Sequence, residues 1–139
     1  MRYLIHGLSI GILFIINSAA HSLEFPEGEW ELEVKYNISG MPIANPPELH
    51  RECFSVEDPI PTSFLRARSC DIIDKRVRHR TVYYRINCFT EHGSVINQGK
   101  IRFGSFKITG SSTTELGDVA GKRSTLRYKF TGRRIGECQ

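Results

Sequence analysis

Gly28-Glu29-Trp30-Glu31-Leu32-Glu33-Val34-Lys35-Tyr36-Asn37-Ile38 is the stretch on which the fold turns. Trp30, Leu32, Val34, Tyr36 and Ile38 alternate with Glu29, Glu31, Glu33, Lys35 and Asn37. Successive side chains on a strand point to opposite faces, so the pattern predicts a strand with one buried and one solvated face. A fully buried large apolar side chain contributes about 1.5–3 kcal/mol, which places this strand at the centre of a core. A slip of one residue would carry Glu29, Glu31, Glu33 and Lys35 inward, and that fixes the register.

The same reading extends along the chain. Gly40-Met41-Pro42 to Pro46-Pro47 is a proline-rich connection. Residues 48–55 are again extended, Val56 to Thr62 reads as loop, and Ser63 to Ala67 suits one helical turn. Ile72, Ile73 and Val77 precede a turn centred on His79, and Val82, Tyr84, Ile86 and Cys88 alternate after it. Glu91-His92-Gly93 turns the chain into strands over 94–103 and 105–109, broken at Gly104. Gly110 to Lys122 is polar, holds three glycines and reads as a mobile loop, and 123–131 closes the series. About seven short strands with no amphipathic helix predict a single all-β antiparallel domain, barrel-like or a sandwich.

The N-terminus carries Arg2 and then an apolar run from Leu4 to Ile16, followed by Ser18-Ala19-Ala20. This is the plan of a secretory signal peptide over residues 1–20, cut after Ala20 or alternatively after Ser22. The apolar run is shorter than the roughly 20 residues a spanning helix needs, so the expected mature domain, 21–139, does not span a membrane. The expected location is periplasmic or secreted.

All four cysteines, Cys53, Cys70, Cys88 and Cys138, lie beyond that segment. An even cysteine count in an exported chain reads as two disulfides, with three pairings allowed. If 70–77 and 81–88 form a hairpin, Cys70 and Cys88 fall opposite each other within disulfide reach. Geometry therefore favours Cys70–Cys88 and leaves Cys53–Cys138. Only His50-x-x-Cys53 has metal-like spacing and nothing nearby completes it, so neither a metal nor another cofactor is expected.

Charge is divided unevenly. From His21 to Asp58 there are nine acids and two bases; from Pro59 to Gln139 there are six acids and sixteen bases. Such asymmetry can mark a surface for an anionic partner. The plainer expectation is that the acidic and basic parts pair across strands of one sheet.

Gly28-Glu29-Trp30-Glu31, Gly40-Met41-Pro42, Pro46-Pro47, Cys53 before Glu57-Asp58, Cys70, Cys88 and Thr131-Gly132-Arg133-Arg134-Ile135-Gly136-Glu137-Cys138 follow one another in a recognisable order. Together they resemble the bacterial exported family called domain of unknown function 3617, over roughly residues 26–138. The resemblance implies a Gram-negative periplasmic or secreted β-rich domain. It implies no activity and no catalytic residues.

The residues themselves point away from catalysis. There is no G-x-S-x-G, no G-x-x-x-x-G-K-[ST] and no G-x-G-x-x-G. His79 and His92 fall in turns, and Glu29, Glu31 and Glu33 make a solvated strand face. Arg76, Arg78 and Arg80 form the densest basic cluster, suited to an anion, although a charged hairpin tip also blocks edge pairing. Nucleic acid is not an expected partner of an exported chain. The expected function is a non-enzymatic binding module. One form holds a small apolar or anionic ligand in a β-barrel, with Trp30, Tyr36, Tyr84 and Phe106 lining an apolar interior. The alternative is an envelope protein–protein interaction domain that binds through the basic hairpin.

Overall fold

The computed structural model describes residues 23–39, 45–119 and 122–139. The expected signal peptide, with its cut after 20 or 22, and most of the proline-rich connection lie outside the described residues. Seven antiparallel strands form one sheet: β1 (Gly28–Ile38), β2 (Glu48–Phe54), β3 (Ser69–Arg78), β4 (Thr81–Thr90), β5 (Gly93–Phe103), β6 (Lys107–Val119) and β7 (Lys122–Gly136). Their spatial order is β2-β1-β7-β6-β5-β4-β3, a meander from β3 to β7 that then returns to β1. The sheet curls into a half-barrel whose edges, β2 and β3, each have one hydrogen-bonded neighbour. Among the described residues the only helical element is a 3-10 turn at Ser63–Leu65, within the predicted helical turn, and no helix is long and apolar enough to cross a membrane.

The alternation in β1 decides which face is inside. Trp30, Leu32 and Val34 are buried, whereas Glu29, Glu31 and Glu33 face outward. Register carries the inner face across the sheet. Val34 lies opposite Phe130, Gly110 follows on β6, and Ile101 and Val82 complete the row. The next inner row runs Tyr36, Tyr128, Ser112, Gly99 and Tyr84. Large side chains sit against small ones. A Cβ on Gly110 would land on the Phe130 ring and 2.7 Å from the Lys100 carbonyl oxygen, so no other residue fits there without displacing the core.

This packing explains why the expectation of a loop over Gly110–Lys122 is wrong. The segment is strand to Val119, and β7 begins at Lys122. Its inner positions are Gly110, Ser112 and Thr114, small or polar because neighbouring rings fill the space, so hydrophobic periodicity gives no signal.

The concave face is covered by the chain itself. Leu23, Pro59, Ile60, Pro61 and Phe64 are buried on it. Phe25 stacks on Phe103 with centroids 4.0 Å apart, and Phe64 lies 4.9 Å from Tyr128 and 5.4 Å from Phe130. Glu52 on β2 fastens the cover, since its Oε2 accepts the N–H groups of Thr62 at 3.1 Å and Ser63 at 2.8 Å.

Each disulfide secures one edge. Cys70 and Cys88 are register partners that tie β3 to β4, with Cα atoms 4.1 Å apart. Cys53 on β2 joins Cys138 just past β7, with Cα atoms 5.6 Å apart, bridging over β1.

Cys53 and Cys138 are separated by 85 residues, and closing a loop of that length restricts the unfolded chain by about 4.5 kcal/mol in the chain-entropy model. Cys53→Ser/Cys138→Ser should therefore lower the denaturant midpoint by the equivalent of up to that amount. An unchanged midpoint would refute this role for the bond. For Glu52, burial raises the carboxyl above its ordinary value of 4.5, against the lowering pull of Ser63 and Thr62. The folded state then holds the proton more tightly than the unfolded chain, so this group removes stability as pH rises through the raised value. Glu52→Gln should gain on the parent protein as pH rises above the ordinary carboxyl value, in chemical unfolding. Parallel pH curves would contradict this.

Candidate functional site

The four aromatic residues expected to line an apolar interior do not share a cavity wall. Trp30 and Tyr84 are packed in the core and Tyr36 is half-buried beside Tyr128. Phe106 corrects the expectation: it lies in the β5–β6 turn and is 89% exposed. The turn at Gly104–Phe106 resets the alternation, so Ile108 rather than Phe106 enters the core.

Inside the half-barrel a small polar cluster interrupts the apolar packing. Asn97 Nδ2 donates to Ser112 Oγ at 3.2 Å and to Thr114 Oγ1 at 2.9 Å. Asn97 Oδ1 and the Tyr84 hydroxyl are buried without a protein partner among the described residues. Burial raises the Tyr84 phenol strongly, and it pushes Tyr128 up to about 12, so both stay neutral. The cluster orders β5 against β6, and the residues of the cover enclose this face.

The outward face carries the charge. One row across the sheet reads Lys129, Ser111, Lys100, Tyr83 and Arg76 on β7, β6, β5, β4 and β3. The next reads Arg127, Thr113, Gln98, Arg85 and Asp74. These residues line a trough of about 580 Å³. Its floor is the short hydroxyl column of β6, and its walls are the long cations of β5 and β7. Neighbouring strands are about 4.8 Å apart, so Lys100 and Lys129 rise roughly 10 Å apart with Ser111 between them.

Five bases and one acid, Asp74, surround the trough. Arg76 Nε is 3.7 Å from Asp74 Oδ2. Among the described residues, Arg85, Lys100, Arg127 and Lys129 have no carboxylate within 4.0 Å. The plainer expectation for the charge asymmetry therefore holds at one place among the described residues, where Arg133 meets Glu31 at 3.0 Å. Hydroxyl donors under guanidinium and ammonium groups can bind phosphate, sulfate or carboxylate oxygens by charge-assisted hydrogen bonds.

The basic hairpin is divided by the fold. Arg76 lines the trough; Arg78 is outward one row along, opposite Thr81. Arg80 lies in the turn, its Nη1 3.5 Å from Ser105 Oγ. Arg85, Lys100, Arg127 and Lys129 escaped the sequence reading because they come from three strands and only register brings them together. Their signal is that each occupies an outward position in its own alternation. Among the described residues no group of three histidine, cysteine, aspartate or glutamate side chains could hold a metal ion.

A family model described as "Protein of unknown function (DUF3617)" matches residues 25–138. No curated protein and no solved structure matches the chain. The matched span begins at Phe25, stacked on Phe103, and ends at Cys138, bonded to Cys53, so it takes in every strand and both disulfides. The chain belongs to the DUF3617 family.

Proposed function

We propose that this chain is an exported, non-enzymatic binding module that holds an anionic ligand in the trough over β6. The signal-like N-terminus and the disulfide pair support a periplasmic or secreted location, because such bonds persist in oxidising compartments. The observation that carries the reading is the convergence of Arg85, Lys100, Arg127 and Lys129 on Ser111 and Thr113, none of them with a carboxylate within 4.0 Å among the described residues. Like charges held this close oppose folding unless something else offsets them, and a bound anion would do so. An apolar ligand inside the half-barrel is disfavoured, since it would have to displace Ile60 and Phe64.

Calorimetric titration with soluble polyphosphate tests the trough. A hydrogen bond to a charged group contributes about 1.5–3 kcal/mol, so Lys100→Glu/Lys129→Glu should weaken binding at least about 100-fold. Equal affinity in the variant, or no heat with the parent protein, would reject it.

A second reading, an envelope protein–protein interaction domain, is favoured by the edge strand β3. Ile72 and Ile73 are about half exposed there, next to Arg76 and Arg78. Arg78→Glu/Arg80→Glu lies outside the trough and should abolish cross-linking to an envelope protein while sparing polyphosphate affinity. Cross-linking that survives the reversal removes the hairpin as the contact.

A further inference from the structure

Two turns meet at one end of the sheet. Phe103 N–H donates to the Arg80 carbonyl oxygen at 2.8 Å, and Arg80 Nη1 donates to Ser105 Oγ at 3.5 Å. The β3–β4 and β5–β6 turns are therefore one structural unit. Phe106 stands at its tip, 89% exposed, the highest value of any large hydrophobic side chain described. Leu49, 67% exposed, shares a depression of about 330 Å³ with it on the outward face.

Four cations lie on or beside these two turns. Arg78 and Arg102 flank Thr81 in one outward row, and Arg80 and Lys107 border the turns themselves. All four are exposed. The two carboxylates that share the Phe106 depression, Glu31 and Glu33, are held by Arg133 at 3.0 Å and Lys35 at 3.8 Å.

From this we infer that the Phe106 end of the sheet docks on an anionic lipid surface. An aromatic ring on a water-facing turn gains by entering the headgroup–acyl boundary, and lysine and arginine beside it gain from anionic headgroups. Neither signal alone anchors a protein, and their combination does. A protein partner needs about 800 Å² from each side. Phe106 on its turn and Leu49 on β2 fall far short of that, and they suit shallow insertion. The inference does not rest on the trough, which lies farther along the strands and contains neither Phe106 nor Leu49.

The test is vesicle partitioning of the mature protein with Phe106→Trp as reporter. The chain has one native tryptophan, Trp30, which is fully buried, so the added indole can be read by difference. Vesicles of equal parts phosphatidylglycerol and phosphatidylcholine should shift its emission to the blue, whereas pure phosphatidylcholine should not. Phe106→Ala should lower partitioning at least about ten-fold, and Arg80→Ala and Lys107→Ala about five-fold each. All three positions are exposed, so these variants should keep the parent's unfolding midpoint. Attachment to anionic vesicles with the indole still in water would mean binding by charge alone and would overturn the inference. So would equal partitioning of Phe106→Ala, or the absence of attachment.

Discussion

The fold depends on a steric rule inside the half-barrel: a large inner side chain lies against a small one on the next strand. Phe130 lies over Gly110, Tyr128 beside Ser112, Tyr84 beside Gly99, and Leu32 and Ile108 against Gly132. Small residues let the sheet coil without the rings colliding. A coiled sheet of seven strands that does not close leaves its concave face open, and the chain lays Phe25, Ile60 and Phe64 over it. Incomplete closure leaves β2 and β3 as edges, the weak points of any open sheet. The two disulfides fall at those edges, one holding β2 to the tail of β7 and the other holding β3 to β4.

With the interior committed to packing, the charged side chains have one place to go. Alternation sends them to the outward face, and register then sorts them by strand. The acids of β1 stand in one column, Glu29, Glu31 and Glu33, while the central strands present lysine, arginine and hydroxyls. Opposite charges could have been interleaved, which stabilises cross-strand neighbours by roughly 0.2–1 kcal/mol each. Here the cations of β5 and β7 lie across Ser111 and Thr113 instead of facing carboxylates. A surface arranged this way attracts anions over a distance set by ionic strength.

Legibility in the sequence followed the inner face. Where that face is apolar, in β1 and β4, alternation of Trp30, Leu32 and Val34 or of Val82, Tyr84 and Ile86 revealed strand and register together. The β3–β4 hairpin then made the Cys70–Cys88 pairing readable. Where the inner face is small and polar, in β6, the same test is blind, although the strand is thirteen residues long. Phe106 was misplaced because a turn restarts the period, and nothing in the residue itself says on which side of the turn the count resumes. The trough was hidden for a different reason. Its cations are spread from Arg76 to Lys129, and proximity among them exists only after four strand pairings are fixed.

The cover closes the concave face of the sheet unless the domain opens. Glu52 is largely withdrawn from water, yet its carboxylate accepts two backbone N–H groups of the cover. Opening the concave face would strip those bonds and expose Phe64 and Ile60, at about 1.5–3 kcal/mol for each large apolar side chain. Opening it would also bring water to the Tyr84 hydroxyl and Asn97 Oδ1, which returns part of that loss. The outward face needs no such opening. Its floor is Ser111 and Thr113, its walls are flexible lysine and arginine side chains, and its backbone is held by hydrogen bonds on both sides of β6. Under the proposed reading, an anion on this face would be met by rotamer changes of lysine and arginine side chains alone, and its binding energy would not be spent on rebuilding the fold.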